Sequence, residues 1–235
     1  MNQLTFPIGE MARQNFNTIP VFRKYGIDFY CKGKSLLADA CALFHCDMQT
    51  VSEELQVAFA KKIDENQDFN SLTSEKLIAH IIDAHHQYVN IHVPEITALI
   101  KAIWESKEVY DYDFKRINDL FRQLGNDMKQ HMQKEELVLF PYIKKLESGL
   151  DLPVGSSVKS LITVVEFEHD TSGIIISQIS RLCNNYSVPE NASQAFRSLF
   201  AKLGEFEADL IMHIHVENNV LHKKAIELEQ ALAVS

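Results

Sequence analysis

Two stretches of the chain carry the same polar pattern. His131-Met132-Gln133-Lys134-Glu135-Glu136-Leu137-Val138-Leu139 and His213-Ile214-His215-Val216-Glu217-Asn218-Asn219-Val220-Leu221 share H-x-x-x-E-x-x-V-L. A histidine stands upstream of each copy at almost the same offset: His86 lies 45 residues before His131, and His169 lies 44 before His213. Residues four apart on a helix share one face, so each copy aims an imidazole and a carboxylate at one point. With His86 and His169 the chain offers six nitrogen and oxygen donors, enough for two metal ions. The pattern predicts a di-metal site on a duplicated helical hairpin.

Those donors need rigid carriers. Only eight glycines and six prolines interrupt 235 residues, and a 3.6-residue apolar period runs through most of the chain. This predicts an all-α protein. Residues 1–70 read as a small helical N-terminal domain with segments near 8–24, 35–45 and 48–62. Gly26 and Gly33 break them, and Asp64–Asp68 serves as a polar linker. Residues 71–235 read as four long helices, near 74–105, 112–147, 156–185 and 190–231, with Ser74 as the first cap. Long helices with short connections imply an antiparallel four-helix bundle. Pro94 and Pro141 fall inside the first two helices, each a place for a kink.

Register makes the polar residues candidates. The second long helix reads Ile117, Phe121, Leu124, Met128, then His131 and Glu135, then Val138 and Tyr142. The fourth reads Phe196, Phe200, Leu203, Phe206, Leu210, then His213, Glu217 and Val220. His86 continues Ile78, Ile82, Val89 and Val93; His169 continues Val165, Ser172 and Ile176. Each candidate sits where a core residue is due. A buried carboxylate with no cation is costly enough to neutralise instead. Two glutamates and four histidines are tolerable together when cations compensate them, with terminal imidazoles, bridging carboxylates and ions about 3.5–4 Å apart. Imidazole with carboxylate suits iron, manganese or zinc.

Simpler readings apply elsewhere. A single histidine on an apolar stripe is more often a packed core residue than a ligand, and the case rests on two matching triplets. His215 and His222 fall on another face and read as exposed. His45, His80 and His92 read as surface or packing residues. His85 competes with His86 for the first-helix position. Glu136, Glu166 and Glu168 read as supporting or solvated groups.

The balance of 23 basic and 32 acidic residues, net −9, argues against nucleic-acid partners and against anionic membranes. The N-terminus shows no export signal, and no apolar run reaches membrane-spanning length. Cys31, Cys41, Cys46 and Cys183 then read as reduced thiols in a cytoplasmic protein. No nucleophile triad, phosphate-cradling loop or dinucleotide fingerprint is present.

The chain resembles the hemerythrin-like proteins, and more closely the RIC (repair of iron centres) family of iron–sulfur cluster repair proteins. His86 with Pro94-Glu95-Ile96 resembles the family's first histidine and its L-P-E-L stretch. His131-Met132-Gln133-Lys134-Glu135-Glu136 through Leu139-Phe140-Pro141 resembles H-M-x-K-E-E-x-x-L-F-P. Glu168-His169-Asp170 resembles its E-H-D, and His213 through Glu217-Asn218-Asn219 to Leu221 resembles H-x-x-x-E-N-N-x-L-F, with His222 in place of Phe. Asp28 through Cys31, Gly33 and Leu36 to Cys41 resembles the D-x-C-C-G-G-x-x-x-L-x-x-A-C motif of an ScdA-type N-terminal domain.

The resemblance implies two non-haem iron ions, carboxylate- and oxo-bridged, held by His86, His131, Glu135, His169, His213 and Glu217, with the glutamates bridging. It implies repair of clusters damaged by oxidative or nitrosative stress, with damaged iron–sulfur proteins, NO and O2 as partners and iron donation as the means. It leaves open a homodimer, an O2- or NO-binding sensor or carrier, and an NO-reducing di-iron enzyme. Two departures stand out. Tyr30-Cys31 replaces the paired cysteines, which precludes a vicinal dithiol. The segment 103–113 lacks the family's loop histidine, so one iron would miss an imidazole, with water, Glu105 or Glu108 in its place.

Overall fold

The computed structural model describes residues 3–63, 68–106, 112–150 and 157–234; the expected linker from Asp64, along with Glu108, lies largely or wholly outside them. Among the described residues the fold is helical throughout, with no strand beyond an isolated bridge between Pro7 and Leu36. No helix among the described residues is long and apolar enough to cross a membrane.

The chain divides into two compact units. One combines Met1–Ile78 with Ile214–Ser235, and the other is Ala79–His213. The first opens with α1 (Ile8–Gln14), α2 (Ile19–Lys24), α3 (Leu37–Leu43) and α4 (Met48–Phe59). Its apolar centre includes Ile8, Met11, Phe22, Phe29, Leu37, Leu55, Leu221 and Ala225, each at most 2 % exposed. Glu10 ties its parts together, accepting from Arg13 at 2.8 Å and from Lys223 at 2.7 Å.

Four long helical runs follow; the second unit takes the first from Ala79 on, the second and third whole, and the fourth as far as His213. The first is α5 (Ser74–His80), a π-helical segment Ile81–His86, and α6 (Gln87–Glu105). The second is α7 (Phe114–Lys134), a π segment Glu135–Leu139, and α8 (Phe140–Glu147). The third is α9 (Val158–Leu182), and the fourth is α10 (Gln194–His215), a π segment Val216–Leu221, and α11 (His222–Val234). The unit boundary falls inside this last run, between His213 and Ile214.

Side chains start the helices by satisfying orphan N–H groups. Asp113 accepts from Arg116 N at 2.9 Å, Ser157 from Lys159 N at 3.2 Å and Ser193 from Phe196 N at 3.3 Å. At α5 the cap is Thr73, which accepts from Lys76 N at 3.3 Å; Ser74 is buried instead. Aromatic and aliphatic side chains fill the bundle, with Phe121 against Phe206 at 5.3 Å and Phe196 against Phe200 at 4.2 Å.

The π segments alter the expected register. An i→i+5 turn holds one residue more than an α turn, so the apolar stripe beyond it arrives one position late. Val138, expected in the core, is 51 % exposed, while Leu139 is 1 % exposed. In the first run the departure falls at the start of the π segment and in the other direction: Ile81 is fully buried and Ile82 only half so. Pro141 is the second residue of α8, just past the π segment. The wide turn accommodates the ring that would clash with the carbonyl four residues back, so the run continues. Pro94 lies within α6, which also continues through it.

Candidate metal centre

Each run brings one histidine inward. His86 ends the first π segment, Glu135 begins the second, and Glu217 lies in the third, four residues past His213 on an unbroken helix. His169 comes from the middle of α9. His86, His131, Glu135, His169, His213 and Glu217 are all at most 2 % exposed.

The donors fall into two sets of four. His86, Glu135, His213 and Glu217 form one; His131, Glu135, His169 and Glu217 form the other. Within each set the donor atoms lie within 4.8 Å of one another. Glu135 and Glu217 belong to both, which is the arrangement carboxylates shared between two ions require. The spacing also fits the size of an ion. Two donors each about 2.1 Å from one ion and at right angles to each other lie about 3 Å apart. His131 Nε2 is 2.9 Å from His169 Nε2 and 3.2 Å from Glu135 Oε2. On the other side His86 Nε2 is 3.4 Å from Glu135 Oε2. No thiol joins either set, so the donors are of the imidazole and carboxylate type that suits iron, manganese or zinc.

Both sets contain two imidazoles. The segment 103–113, where a loop histidine is absent, lies partly outside the described residues, Glu108 with it. Glu105 is exposed at the end of α6, 3.8 Å from Lys101.

The model of the hemerythrin HHE cation-binding domain matches residues 77–225, which include all six donors. The chain belongs to this family. A second model, ScdA_N, a domain of unknown function (DUF542), matches residues 5–58. Among curated proteins the chain is 30 % identical over 220 residues to the iron–sulfur cluster repair protein YtfE of Escherichia coli (strain UMN026), covering 94 % of this chain and 96 % of that protein. YtfE of Shigella boydii serotype 4 matches to the same extent.

As a hemerythrin-family bundle, the chain also supplies the groups that orient its imidazoles. His86 Nδ1 lies 2.7 Å from Glu136, and His131 Nδ1 lies 3.0 Å from Glu168. An ionised carboxylate only accepts, so each Nδ1 carries the proton and each Nε2 presents its lone pair inward. The hydrogen bond from His131 leads in holding the Glu168 carboxyl down at about 2; burial opposes it and Lys134 adds to it. Glu168 is therefore ionised at neutral pH. His85 is not in either set: its Nδ1 bonds Asp209 at 2.8 Å, and its ring stacks on His213 with centroids 5.5 Å apart. A pocket of about 160 Å³, lined by Asp127, His131, Lys134, Glu168 and Ser172 among others, reaches one edge of this site.

Glu168→Gln keeps an acceptor but removes the charge that fixes the His131 tautomer. Metal affinity is expected to fall by about 10- to 100-fold with the fold intact, as read by competition with a chelator of known affinity and by circular dichroism.

His215 and His222 are corrections. Both are fully buried. The helix face opposite His213 is itself covered: His215 packs edge-on against Phe16 and Phe29, with centroids 5.3 and 5.2 Å away. Burial pulls the His215 pKa down to about 3, with Arg13 adding to the effect, so it stays neutral.

Asn218 and Asn219 were legible only as part of a motif. Asn218 Nδ2 donates to Tyr30 O at 3.1 Å, and Asn219 Nδ2 donates to Phe29 O at 3.3 Å. The pair grips the loop that carries Cys31, whose N–H is held by Asp28 at 2.8 Å. No spacing rule distinguishes such carbonyl clamps from solvated asparagines.

Proposed function

We propose that His86, His131, Glu135, His169, His213 and Glu217 hold two iron ions, with the glutamates shared between them. On this reading the protein is a cytoplasmic participant in the repair of iron–sulfur clusters damaged by oxidants or nitric oxide, acting by donating iron. Residues 1–70 would act as an N-terminal domain and residues 71–235 as the iron-holding one, with 214–235 completing the compact unit that the N-terminal residues begin. The observation that carries the reading is the pair of four-donor sets with two carboxylates in common. Its biological direction follows from relatives described as iron–sulfur cluster repair proteins over nearly their whole length.

Bound iron would supply redox and ligand-exchange chemistry. The chain's own groups do the rest. Glu136 and Glu168 orient His86 and His131, the buried core excludes bulk water, and a pocket of about 160 Å³ lies beside His131. Carboxylate and imidazole ligands must be deprotonated to bind, so iron retention weakens as pH falls, which suits a donor.

The test mixes iron-loaded protein with an iron–sulfur enzyme whose cluster has been damaged by nitric oxide. Recovery of enzyme activity, with loss of iron from this protein, is expected. A stable gas adduct with no recovery would instead favour a sensor or carrier, and turnover of NO to N2O with a reductant would favour an enzyme.

A further inference from the structure

Two cysteines at the end of α3 take no part in the metal centre. Beyond Leu43 the chain turns through His45, whose φ of 55° is left-handed. Cys46 N–H closes the turn by donating to the Cys41 carbonyl at 2.9 Å. This is the six-residue closure of a Schellman helix end, in which the two terminal side chains commonly meet; here both are thiols. With standard bond lengths, that hydrogen bond limits the separation of the two Cα atoms to about 7 Å. Disulfides span about 4.4–6.8 Å between Cα atoms. Cys41 is 2 % exposed, while Cys46 is half-buried and donates to the carbonyls of Tyr25 and Phe44 at 3.4 Å each. Burial first, and then the neighbouring Cys46 and Asp47, push the Cys41 thiol up, a sign that the two sulfurs sense each other.

We propose that Cys41 and Cys46 form a two-thiol modification site that closes to an intramolecular disulfide with a hydroperoxide as oxidant. Cys46, the more accessible, attacks first. An S–O bond forms as the O–O bond breaks, giving a sulfenic acid and water. The Cys41 sulfur then attacks Cys46, the S–S bond forms, and the S–O bond breaks with the hydroxyl leaving as water. Two thiols lose two electrons and two protons, and hydrogen peroxide becomes two waters. Because burial raises both thiols, closure is slow at neutral pH and faster as the thiolate fraction grows in alkali. The product ties the end of α3 to the residue before Asp47, which caps α4 by accepting from Thr50 N at 2.8 Å. The site is independent of the iron reading.

The experiment treats the purified full chain with hydrogen peroxide, unfolds it, alkylates free thiols and digests with trypsin. The peptide Ser35–Lys61 contains Cys41 and Cys46 and no other cysteine. It is expected to lose about 2 Da and to refuse the alkylating agent until a reductant is added. In Cys46→Ser, Cys41 stays alkylatable at the same dose; in Cys41→Ser, Cys46 halts as a sulfenic acid trapped by dimedone. If either variant fails to fold, the wild-type peptide mass decides alone. A peptide that gains oxygen, cross-links to Cys31, or stays fully alkylatable at a dose that oxidises Cys31 overturns the proposal.

Discussion

Glu135→Leu is expected to empty both metal positions rather than one. Glu135 belongs to both donor sets, whereas His169 belongs to a single set. Metal content measured by elemental mass spectrometry should fall from about two ions per chain to well under one. His169→Ala should leave about one. Stability should move in opposite directions for the two forms. Glu135 is fully buried, and without cations a carboxylate there costs free energy that leucine does not. Metal-free Glu135→Leu should thus melt above metal-free wild type, while added iron should raise the Tm of wild type alone. A variant that retains two ions would remove Glu135 from the ligand set.

Gly33→Ala is the second large effect. A Cβ there would sit 2.9 Å from the Phe29 carbonyl oxygen and 3.1 Å from Gly9 Cα, and would also press on the Asn219 side chain. Two of those neighbours are backbone and cannot rotate away. Overpacking of this kind costs about 1–3 kcal/mol, or roughly 5 °C in Tm for a chain of this size. Gly204→Ala is the control: the nearest atom to its Cβ is Tyr186 Cδ2 at 3.4 Å. It lies within α10, so alanine should stabilise by about 0.5–1 kcal/mol. Equal losses at both positions in a thermal melt would show that the Phe29–Gly33 loop is not tightly held.

The helical class and the inward placement of the six candidate donors were legible because both are periodic. A histidine or glutamate at a core position breaks an apolar stripe, and a break repeated in matching registers is visible without coordinates. The π segments were not legible. An extra residue in a turn leaves no residue-type signature, and Val138 and Leu139 are equally apolar, so only the backbone reveals which one turns inward. His215 and His222 were misread for a related reason. Periodicity finds the face toward one core, but His215 is covered on a second face by Phe16 and Phe29, residues about 200 positions away in the chain, and His222 is buried as well. The cap at Thr73 was missed by one residue because Ser74 has equivalent chemistry.

The wide turns at His86, Glu135 and Glu217 have a geometric consequence. Each shifts the angular phase of its helix at the point where a candidate ligand is presented, so the stretches on either side follow separate azimuths. Packing on the far side, such as Phe140 and Ile143 beyond Glu135, thus follows the phase set after the turn, not the one that aims the carboxylate. Shedding one residue from such a turn would undo that independence, rotating every later side chain of the helix by about 100° about its axis.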